Sequence, residues 1–528
     1  MRFFTRRPSN PVPELHTTRE THESYLVQTA HSASAAAAML GSRQTHPLIL
    51  AVILMNLALA LTLTTLPGLI GDTPEWGSFR GNNGNGVSTA TVVPAKFDLD
   101  TNLLWKIDTR SGYSSPIVAG KRVFMTAAMG TKLSTHCIDL DTGEETWIRE
   151  IDFDGKRVGA NSSASPTPAC DGERVYCLFH HIGMVVYDLE GKELWRNDLG
   201  APYNIPHGLA TSPVLHDGRV IVQVDQDTDS HLIALDAATG EVSWNVERPG
   251  STHSYATPVV YEPKDGPAQL IVSGSNQVAG YALADGERIW WVDGGAWQSK
   301  SLPVLHNDLC IVNSYMVSSS EFGGPRITQS WKETLEERDE NKSGFIERDE
   351  WDDPVMMQAW FIFDLDGDDM LNETDFNYLK NAGTAVGGLF AVKMNGKGNV
   401  TDTHIAWKYD KRRGLSDVTS PVLYDGVVYM LKEGGIMTAM DAATGELGKQ
   451  SRVGEGDRYF ASPVAADGKL VTASQSGQLS VVKAGSEWEV LSTLNLGEEL
   501  WSTPALADGL VIVRSQKALY CFFGEEED

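Results

Sequence analysis

Residues 211–247 read TSPVLHDGRVIVQVDQDTDSHLIALDAATGEVSWNVE, and this stretch decides the fold. Short apolar runs rich in β-branched residues alternate with turns at Asp217-Gly218 and Asp236–Gly240. Runs of this kind, joined by tight turns, predict four short antiparallel strands. Such a small sheet leaves both of its faces without a neighbour. It therefore needs copies of itself.

The stretch recurs along the chain when the proline before its first apolar run is used as a marker. Successive markers are 52, 45, 45, 45, 118, 42 and 41 residues apart: Pro116, Pro168, Pro213, Pro258, Pro303, Pro421, Pro463 and Pro504. Four of the units close on a tryptophan after the last turn: Trp147, Trp195, Trp244 and Trp290. A period near 45 with four strands is typical of propeller blades stacked around an axis. We therefore predict an all-β fold, an eight-bladed β-propeller of four-stranded antiparallel blades.

The two ends of the repeat region support the count of eight. The last unit stops after three strands, near residue 523. A spare strand lies upstream of the first unit, where residues 102–108 read NLLWKID with the apolar and Trp pattern of a fourth strand. We expect this strand to close the ring beside the last blade, because closure removes an open sheet edge.

The repeats resemble those of PQQ-type propellers, a family named for the pyrroloquinoline quinone dehydrogenases. The closer resemblance is to their non-enzymatic, BamB-like relatives. The lead-in from Trp76 to Ser88, WGSFRGNNGNGVS, resembles the opening of a secreted bacterial subgroup. The resemblance covers about residues 75–523 apart from one insertion. It implies the fold strongly and the function weakly, because one fold carries many functions.

Charge and cysteine content exclude some classes of function. The formal net charge is −27, which argues against a nucleic-acid partner, because affinity for phosphates comes chiefly from Lys and Arg. The five cysteines are too few and scattered for a disulfide framework: Cys137, Cys170, Cys177, Cys310 and Cys521. We expect several of them to be buried as small apolar residues, although Cys170 and Cys177 flank one turn and are close enough in sequence to meet.

The N-terminal region predicts export. Residues 1–46 are polar and Arg-containing, and we interpret them as a disordered tail. Leu48–Leu66 is almost wholly apolar, and as a helix it would span about 28 Å, close to the hydrocarbon core of a bilayer. We predict a transmembrane helix or signal anchor over residues 47–70, which would be the chain's one membrane contact and would leave the bulk on the periplasmic side of the cell envelope. A cleaved signal peptide is the alternative, and the true start codon stays open.

The interval between Pro303 and Pro421 is longer than one blade requires by about 70 residues. We assign the excess to an insertion over residues 318–386. It divides the propeller into residues 75–317 and 387–523, which a short acidic tail follows at 524–528. Trp331–Glu337 and Val355–Phe363 have the apolar spacing of helices.

Residues 339–350, DENKSGFIERDE, match the twelve-residue EF-hand loop at every ligand position. Ca²⁺ prefers oxygen ligands, and a bidentate glutamate at position twelve completes such a site. The predicted ligands are the side chains of Asp339, Asn341, Ser343, Glu347 (through water) and Glu350, with the carbonyl of Phe345. Gly344 permits the sharp turn, and Ile346 would form the small strand that pairs two such loops.

Residues 364–375, DLDGDDMLNETD, are a looser match that we predict to be a second, weaker calcium loop. Its predicted ligands are Asp364, Asp366, Asp368, the Met370 carbonyl and Asp375. Position six is Asp369 instead of glycine, and position twelve is the shorter Asp375. Sixteen acidic and five basic residues lie between Trp331 and Lys380, so the paired loops would be strained without a cation. An acidic, solvated loop that mimics the motif is the alternative.

The enzymes that these repeats resemble hold quinone in the central channel, on an aromatic plane, with Ca²⁺, an aspartate base and a vicinal cysteine pair. This chain has no vicinal cysteines. The residues before each inner strand are expected to face the channel: Tyr113, Asn161, His207, His253, Trp297, Asp417, Tyr459 and Trp501.

We therefore expect a non-catalytic, calcium-binding scaffold whose propeller face docks envelope proteins or peptides. The alternative is a PQQ-dependent quinoprotein dehydrogenase that uses the channel, with Asp417 as candidate base. PQQ is retained as its cofactor but is not favoured.

Overall fold

The computed structural model describes residues 76–89, 91–156, 158–200, 203–205, 207–316, 327–507 and 509–524. The predicted tail and membrane anchor, over residues 1–70, lie outside these ranges, as does most of the acidic tail. In the part of the chain that is described, no helix has the length and apolar character needed to cross a bilayer.

Eight sheets follow one another in chain order, as the repeats predict, and each contains four or five strands. The chain begins with β1 (Leu103–Asp108), which precedes the first blade. Blade 1 contains β2 (Ile117–Ala119), β3 (Arg122–Met129), β4 (Lys132–Asp139) and β5 (Glu145–Asp152); blade 2 contains β6 (Ala169–Cys170), β7 (Arg174–Phe179), β8 (Gly183–Asp188) and β9 (Glu193–Asn197). Blade 3 contains β10 (Val214–His216), β11 (Arg219–Val224), β12 (His231–Asp236) and β13 (Val242–Glu247); blade 4 contains β14 (Val259–Tyr261), β15 (Gln269–Gly274), β16 (Gln277–Ala282) and β17 (Arg288–Asp293).

The fifth blade is interrupted by the insertion. It begins with β18 (Val304–His306) and β19 (Leu309–Asn313). The insertion then contributes α1 (Trp331–Arg338), β20 (Ile346–Glu347), α2 (Pro354–Phe363), β21 (Met370–Leu371) and α3 (Glu373–Thr384). Blade 5 resumes with β22 (Leu389–Lys393), a short β23 (Gly398–Asn399) that joins the neighbouring blade, and β24 (Ile405–Tyr409).

The last three blades are regular. Blade 6 contains β25 (Val422–Tyr424), β26 (Val427–Leu431), β27 (Ile436–Asp441) and β28 (Leu447–Arg452); blade 7 contains β29 (Val464–Ala466), β30 (Lys469–Ala473), β31 (Gln478–Lys483) and β32 (Glu489–Asn495); blade 8 contains β33 (Ala505–Ala507), β34 (Leu510–Arg514) and β35 (Ala518–Phe523). Short 3₁₀ turns lie at Asn82–Gly84, Arg348–Glu350 and Arg412–Gly414.

Strand β1 supplies the fourth strand of blade 8. It pairs antiparallel with β35, with Lys106 opposite Tyr520, so the sheet order is β1-β35-β34-β33. The strand that was predicted upstream of the first repeat therefore closes the ring, and one blade contains both ends of the repeat region.

The residue before each marker proline connects neighbouring blades. The backbone N–H of Thr167 donates to Ser212 Oγ at 3.0 Å, and the N–H of Ser212 donates to Thr257 Oγ1 at 2.9 Å. The same bond joins Ser115 to Thr167, Leu302 to Ser420, Ser420 to Ser462, Ser462 to Thr503 and Thr503 to Ser115. In blade 5 the hydroxyl residue is replaced by Leu302. The Ser and Thr residues that precede the marker prolines thus form a belt of hydrogen bonds around the axis, from the backbone N–H of one to the hydroxyl of the next.

The tryptophan that closes a regular blade packs on the last turn of the next blade. Trp195 Nε1 donates to the Ala237 carbonyl at 3.2 Å, and its ring lies against Gly240. A Cβ at Gly240 would lie 2.5 Å from the ring, and the residue has a φ of +75°, so glycine is required there. The same indole bond joins Trp105 to Leu140, Trp147 to Leu189, Trp244 to Leu283 and Trp407 to Ala442.

The insertion is a small module with its own apolar core. Strands β20 and β21 pair antiparallel with Ile346 opposite Leu371, as predicted for two coupled loops. Helices α1 and α2 cover the stretches predicted to be helical, whereas α3 was not predicted. The hydroxyl of Tyr378, a buried residue of α3, lies 2.9 Å from Ser275 Oγ in blade 4, so this helix holds the module against the propeller.

Candidate functional site

The first loop of the insertion (residues 339–350) gathers its acidic side chains around one point. Asp339, Glu347 and Glu350 each offer a carboxylate oxygen within 4.8 Å of the others. The Asp339 carboxylate accepts the backbone N–H groups of Ser343 and Gly344, both at 2.9 Å. These bonds fold the backbone around the carboxylate and fix its orientation.

The uncharged ligands predicted for the first loop lie in the same place. Asn341 Oδ1 accepts the N–H of Ser343 at 2.8 Å, and Asn341 Nδ2 donates to Glu347 Oε1 at 3.1 Å. The Ser343 hydroxyl lies 3.4 Å from the Phe345 carbonyl oxygen. The six residues predicted from spacing are therefore linked to one another around a single centre.

The second loop (residues 364–375) repeats this arrangement with carboxylates at different positions of the loop. Asp364, Asp366 and Asp368 each place a carboxylate oxygen within 4.8 Å of the others. Asp364 accepts the N–H groups of Gly367, Asp368 and Asp369 at 2.8, 3.1 and 3.0 Å. Asp369 adopts a φ of 64° at position six, where Gly344 has 88° in the first loop. Because Asp tolerates this conformation better than most residues, the missing glycine does not prevent the turn.

Position twelve has the same backbone partners in both loops. Glu350 accepts the N–H groups of Glu340 and Glu347 at 2.8 and 3.0 Å, which are positions two and nine. Asp375 accepts those of Leu365 and Asn372 at 3.2 and 3.0 Å, again positions two and nine. The shorter Asp375 lies outside the close cluster of carboxylates formed by Asp364, Asp366 and Asp368. Asp375 therefore has the same backbone position as Glu350, but its side chain is shorter and does not reach as far toward the centre of the loop.

The second loop is also the more buried of the two. Burial raises the pKa of Asp375 to about 6, and the nearby Asp366 and Asp364 add to the effect. Burial and then Asp368 raise the pKa of Asp366. Carboxylates held close to one another disfavour their charged forms, and a bound cation would offset this repulsion.

The lead-in segment (residues 76–88) closes one face of the ring. Its carbonyls at Trp76 and Gly77 accept the N–H groups of Val118 in blade 1 and Cys170 in blade 2, at 3.0 and 2.7 Å. Further along, Asn83 exchanges hydrogen bonds with the backbone of Val260 in blade 4, and Arg80 donates to the Pro421 carbonyl at 2.7 Å. The segment thus crosses from blade to blade as an irregular loop, and its residue Phe79 lines the channel cavity.

The central channel contains a cavity of about 390 Å³. Trp501 lies between Tyr113 and Phe460, with ring centroids 4.8 and 4.4 Å away and planes within 8° of parallel. Lys300 Nζ lies 2.7 Å from Asp417 Oδ1. Burial lowers the pKa of His207, and the Lys300 charge lowers it further.

The structure corrects part of the predicted channel lining. Tyr113, Asn161, His207, Asp417 and Trp501 line the cavity as expected. His253 and Trp297 instead line a second cavity beside the EF-hand module. Tyr459 is fully buried in the core between blades 6 and 7, and its neighbour Phe460 reaches the channel. Adjacent residues point in opposite directions in extended backbone, so an error of one position exchanges core for channel.

The channel residues differ in two respects from the quinone and calcium site of the dehydrogenases that the repeats resemble. Among the described residues that line the cavity, Asp417 is the one carboxylate, and it is paired with Lys300. A divalent cation such as Ca²⁺ requires several oxygen ligands. Both faces of the Trp501 ring are covered by aromatic neighbours, so this indole offers no free plane for stacking.

The cysteines are buried thiols. None of the five takes part in a disulfide, including Cys170 and Cys177, which were close enough in sequence to meet. Burial raises the pKa of both thiols to about 12, so they are poor nucleophiles.

Comparison with known proteins gives the same architecture. A family model described as outer membrane protein assembly factor BamB matches residues 95–203, 136–335 and 397–522. The structure of BamB from Moraxella catarrhalis is 10% identical over 81% of this chain and 98% of its own, with a TM-score of 0.50. Quinohemoprotein alcohol dehydrogenase from Comamonas testosteroni is 13% identical over 86% and 81%, with a TM-score of 0.55. A europium-containing methanol dehydrogenase is 10% identical over 86% and 99%, with a TM-score of 0.57. No curated protein matches the sequence.

At such identities the solved structures show the propeller fold alone and do not separate an assembly factor from a dehydrogenase. The family match is different, since it covers most of the propeller and well over half of the chain. The protein therefore belongs to the PQQ_2 family of β-propellers, described as outer membrane protein assembly factor BamB.

Proposed function

We propose that this protein is a non-catalytic, calcium-binding β-propeller scaffold of the cell envelope that mediates protein–protein interaction. One observation carries the proposal: two paired loops orient their predicted oxygen ligands by the same backbone hydrogen bonds at positions one and twelve. A chance acidic loop has no reason to repeat this pattern twice.

Charge supports calcium as the bound species. The region from Trp331 to Lys380 contains sixteen acidic and five basic residues, and each loop holds three carboxylates within 4.8 Å. Hard divalent cations bind such oxygen clusters, and the seven-ligand pattern of the first loop suits Ca²⁺ better than the smaller Mg²⁺. Extracellular fluids and envelopes hold abundant Ca²⁺, so we expect permanent occupancy and a stabilising role.

The scaffold function is supported by the channel and by the family. Asp417 is the one carboxylate among the described residues that line the channel cavity, and it is paired with Lys300, whereas the family is described by an assembly factor. The regular blades present a rigid surface, and the insertion adds a second surface that α3 fixes to blade 4. Partner proteins or peptides of the envelope would dock there.

Location follows from the N-terminal sequence. The apolar stretch Leu48–Leu66, which lies outside the described residues, would anchor the chain in the inner membrane. The propeller would then face the periplasm. If this stretch is cleaved, the propeller is released on the same side.

Calorimetry on the full-length protein, stripped of metal and titrated with Ca²⁺, tests the metal function. We expect two binding events in the wild type and the loss of one in Glu350→Gln. Asp349→Asn, which removes an equal charge next to the ligand without changing a ligand position, should keep both. A wild type that binds no calcium contradicts the proposal.

Crosslinking in intact envelopes tests the scaffold function. We expect a defined set of crosslinked envelope proteins that is lost when the propeller is deleted and only the membrane segment remains. The same crosslinks without the propeller would assign them to the anchor and contradict the proposal.

A dehydrogenase is the second candidate, because Asp417, the candidate base, lines the channel cavity. The test is a fluorescence titration with pyrroloquinoline quinone, followed by dye-linked alcohol or aldose oxidation with quinone and Ca²⁺ supplied. Saturable binding with activity would replace the scaffold proposal. A flat titration would remove the dehydrogenase.

A further inference from the structure

A second cavity, of about 550 Å³, separates the EF-hand module from the propeller. We call it the module groove. Its propeller wall includes Asp227, His253 and Trp297, and its module wall includes Phe361, Asp364 and Asp369. The channel cavity is a neighbour, because Gln298 lines both. The groove shares Asp364 and Asp366 with the second predicted calcium loop, whereas the rest of its lining takes no part in the calcium or channel chemistry described above.

Phe361 in helix α2 marks the groove as a contact surface. Its neighbour Trp360 is buried in the module core with 1% of its surface exposed, whereas Phe361 is 75% exposed. No other large apolar side chain in the described ranges is as exposed. A phenylalanine in water forfeits the free energy of burial, and a partner that covers it recovers this energy.

The polar groups of the groove favour a basic occupant. His253 pairs with Asp227 at 2.8 Å, and Arg348 pairs with Asp369 at 3.4 Å. Asp364 and Asp366 of the second calcium loop also line the groove, and no cation from the described propeller wall pairs with them. Calcium would offset the charge of these two groups, but the module from Trp331 to Lys380 has eleven more acidic than basic residues and would stay negative with two calcium ions bound, so its field attracts a basic segment.

We propose that the module groove docks a peptide segment of a partner protein in which an apolar side chain is flanked by Lys or Arg. The apolar side chain packs on Phe361 and Trp297, and the basic groups face the negatively charged module. This inference rests on the proposed scaffold function and names the chemistry of the partner.

Fluorescence anisotropy with a labelled KRFLKR peptide tests the proposal on the full-length protein in saturating calcium. We expect saturable binding that Phe361→Ser weakens by about tenfold, which corresponds to about 1.4 kcal/mol. Val242→Ser is the matched control, because Val242 is 54% exposed on the outer strand of blade 3, away from the groove. It should bind as the wild type does. The peptides KRGSKR and EEFLEE, which lack the apolar anchor or reverse the charge, should bind at least tenfold more weakly.

Equal affinities of Phe361→Ser and the wild type would overturn the inference, as would equal binding of KRGSKR or EEFLEE. Calcium calorimetry on the same samples separates two failures. If calcium binds and KRFLKR does not, the groove inference is wrong and the calcium function stands. If calcium does not bind, the proposed function itself is wrong.

Discussion

The ring of blades and the inserted module differ in how they gather charge. Neighbouring blades share apolar surfaces, indole-to-carbonyl bonds and a belt of hydroxyl acceptors, all of which are uncharged. The module has an apolar core too, but it also collects carboxylates at two points, and the proposed calcium ions would offset their repulsion. One chain thus contains a part whose stability should ignore calcium and a part whose stability should follow it.

The largest expected effect lies in the ring. Trp244 is 8% exposed and donates to the Leu283 carbonyl of the next blade at 3.1 Å. Trp244→Ala removes this bond and leaves a cavity between blades 3 and 4, so the free energy of unfolding should fall by about 3–5 kcal/mol. Denaturant titration measures it. A fall in calcium affinity, measured on the folded variant, would show that the ring and the module are not independent.

The next effect lies in the module and ranks its two loops. Changes outside the ligand shell already cost a metal site about 10–100-fold, so Glu350→Gln, which removes a bidentate ligand, should lower Ca²⁺ affinity by about 100-fold. Asp375→Asn should cost less, because the shorter side chain lies outside the carboxylate cluster. Calorimetry compares the two variants, and the reverse order would contradict the ranking of the loops.

Metal removal should separate the two regions directly. At free calcium tenfold above the dissociation constant, chelation should cost the module about 1.4 kcal/mol. Hydrogen exchange should therefore accelerate at the paired strands Ile346–Glu347 and Met370–Leu371 and stay unchanged in β11 and β12 of blade 3. Faster exchange in blade 3 would show that the ring also depends on the cation.

The smallest effect tests the hydroxyl belt. Ser212→Ala removes the acceptor of the Thr167 N–H, and the net loss should be about 1 kcal/mol. Ser212→Thr keeps an oxygen at the same position and should cost less. Leu302 shows that one interruption is tolerated. Equal unfolding midpoints for Ser212→Ala and the wild type would mean that the belt is not needed for stability.

The repeats made most of the ring predictable. Each repeat contains its own turn chemistry, and a deviation from the period exposed both the closing strand and the insertion. Helix α3 was missed because Glu373–Thr384 is largely polar, and its buried Phe376, Leu379 and Ala382 are too few to mark a helix by themselves. Its capping box at Asn372 and Asp375 overlaps the calcium motif, which hid the start of the helix.

The channel shows a different limit. Sequence position identified the loops that reach the axis. It predicted that Tyr459 faces the channel, whereas Phe460 does so and Tyr459 lies in the core. Nor did it show that His253 and Trp297 lie under the insertion. Both outcomes depend on contacts between residues far apart in the chain, which no local pattern records.

By itself, the sequence determined the number of blades and the closing strand, and it predicted the residues of two calcium loops, because period, turn chemistry and ligand spacing are local properties. Only the tertiary structure decided that hydrogen bonds to the belt of hydroxyls join the blades, that the lead-in segment lines one end of the channel, and that the second loop faces the propeller across a groove. These features arise when distant segments share one volume, where packing and charge, rather than spacing, choose the neighbours.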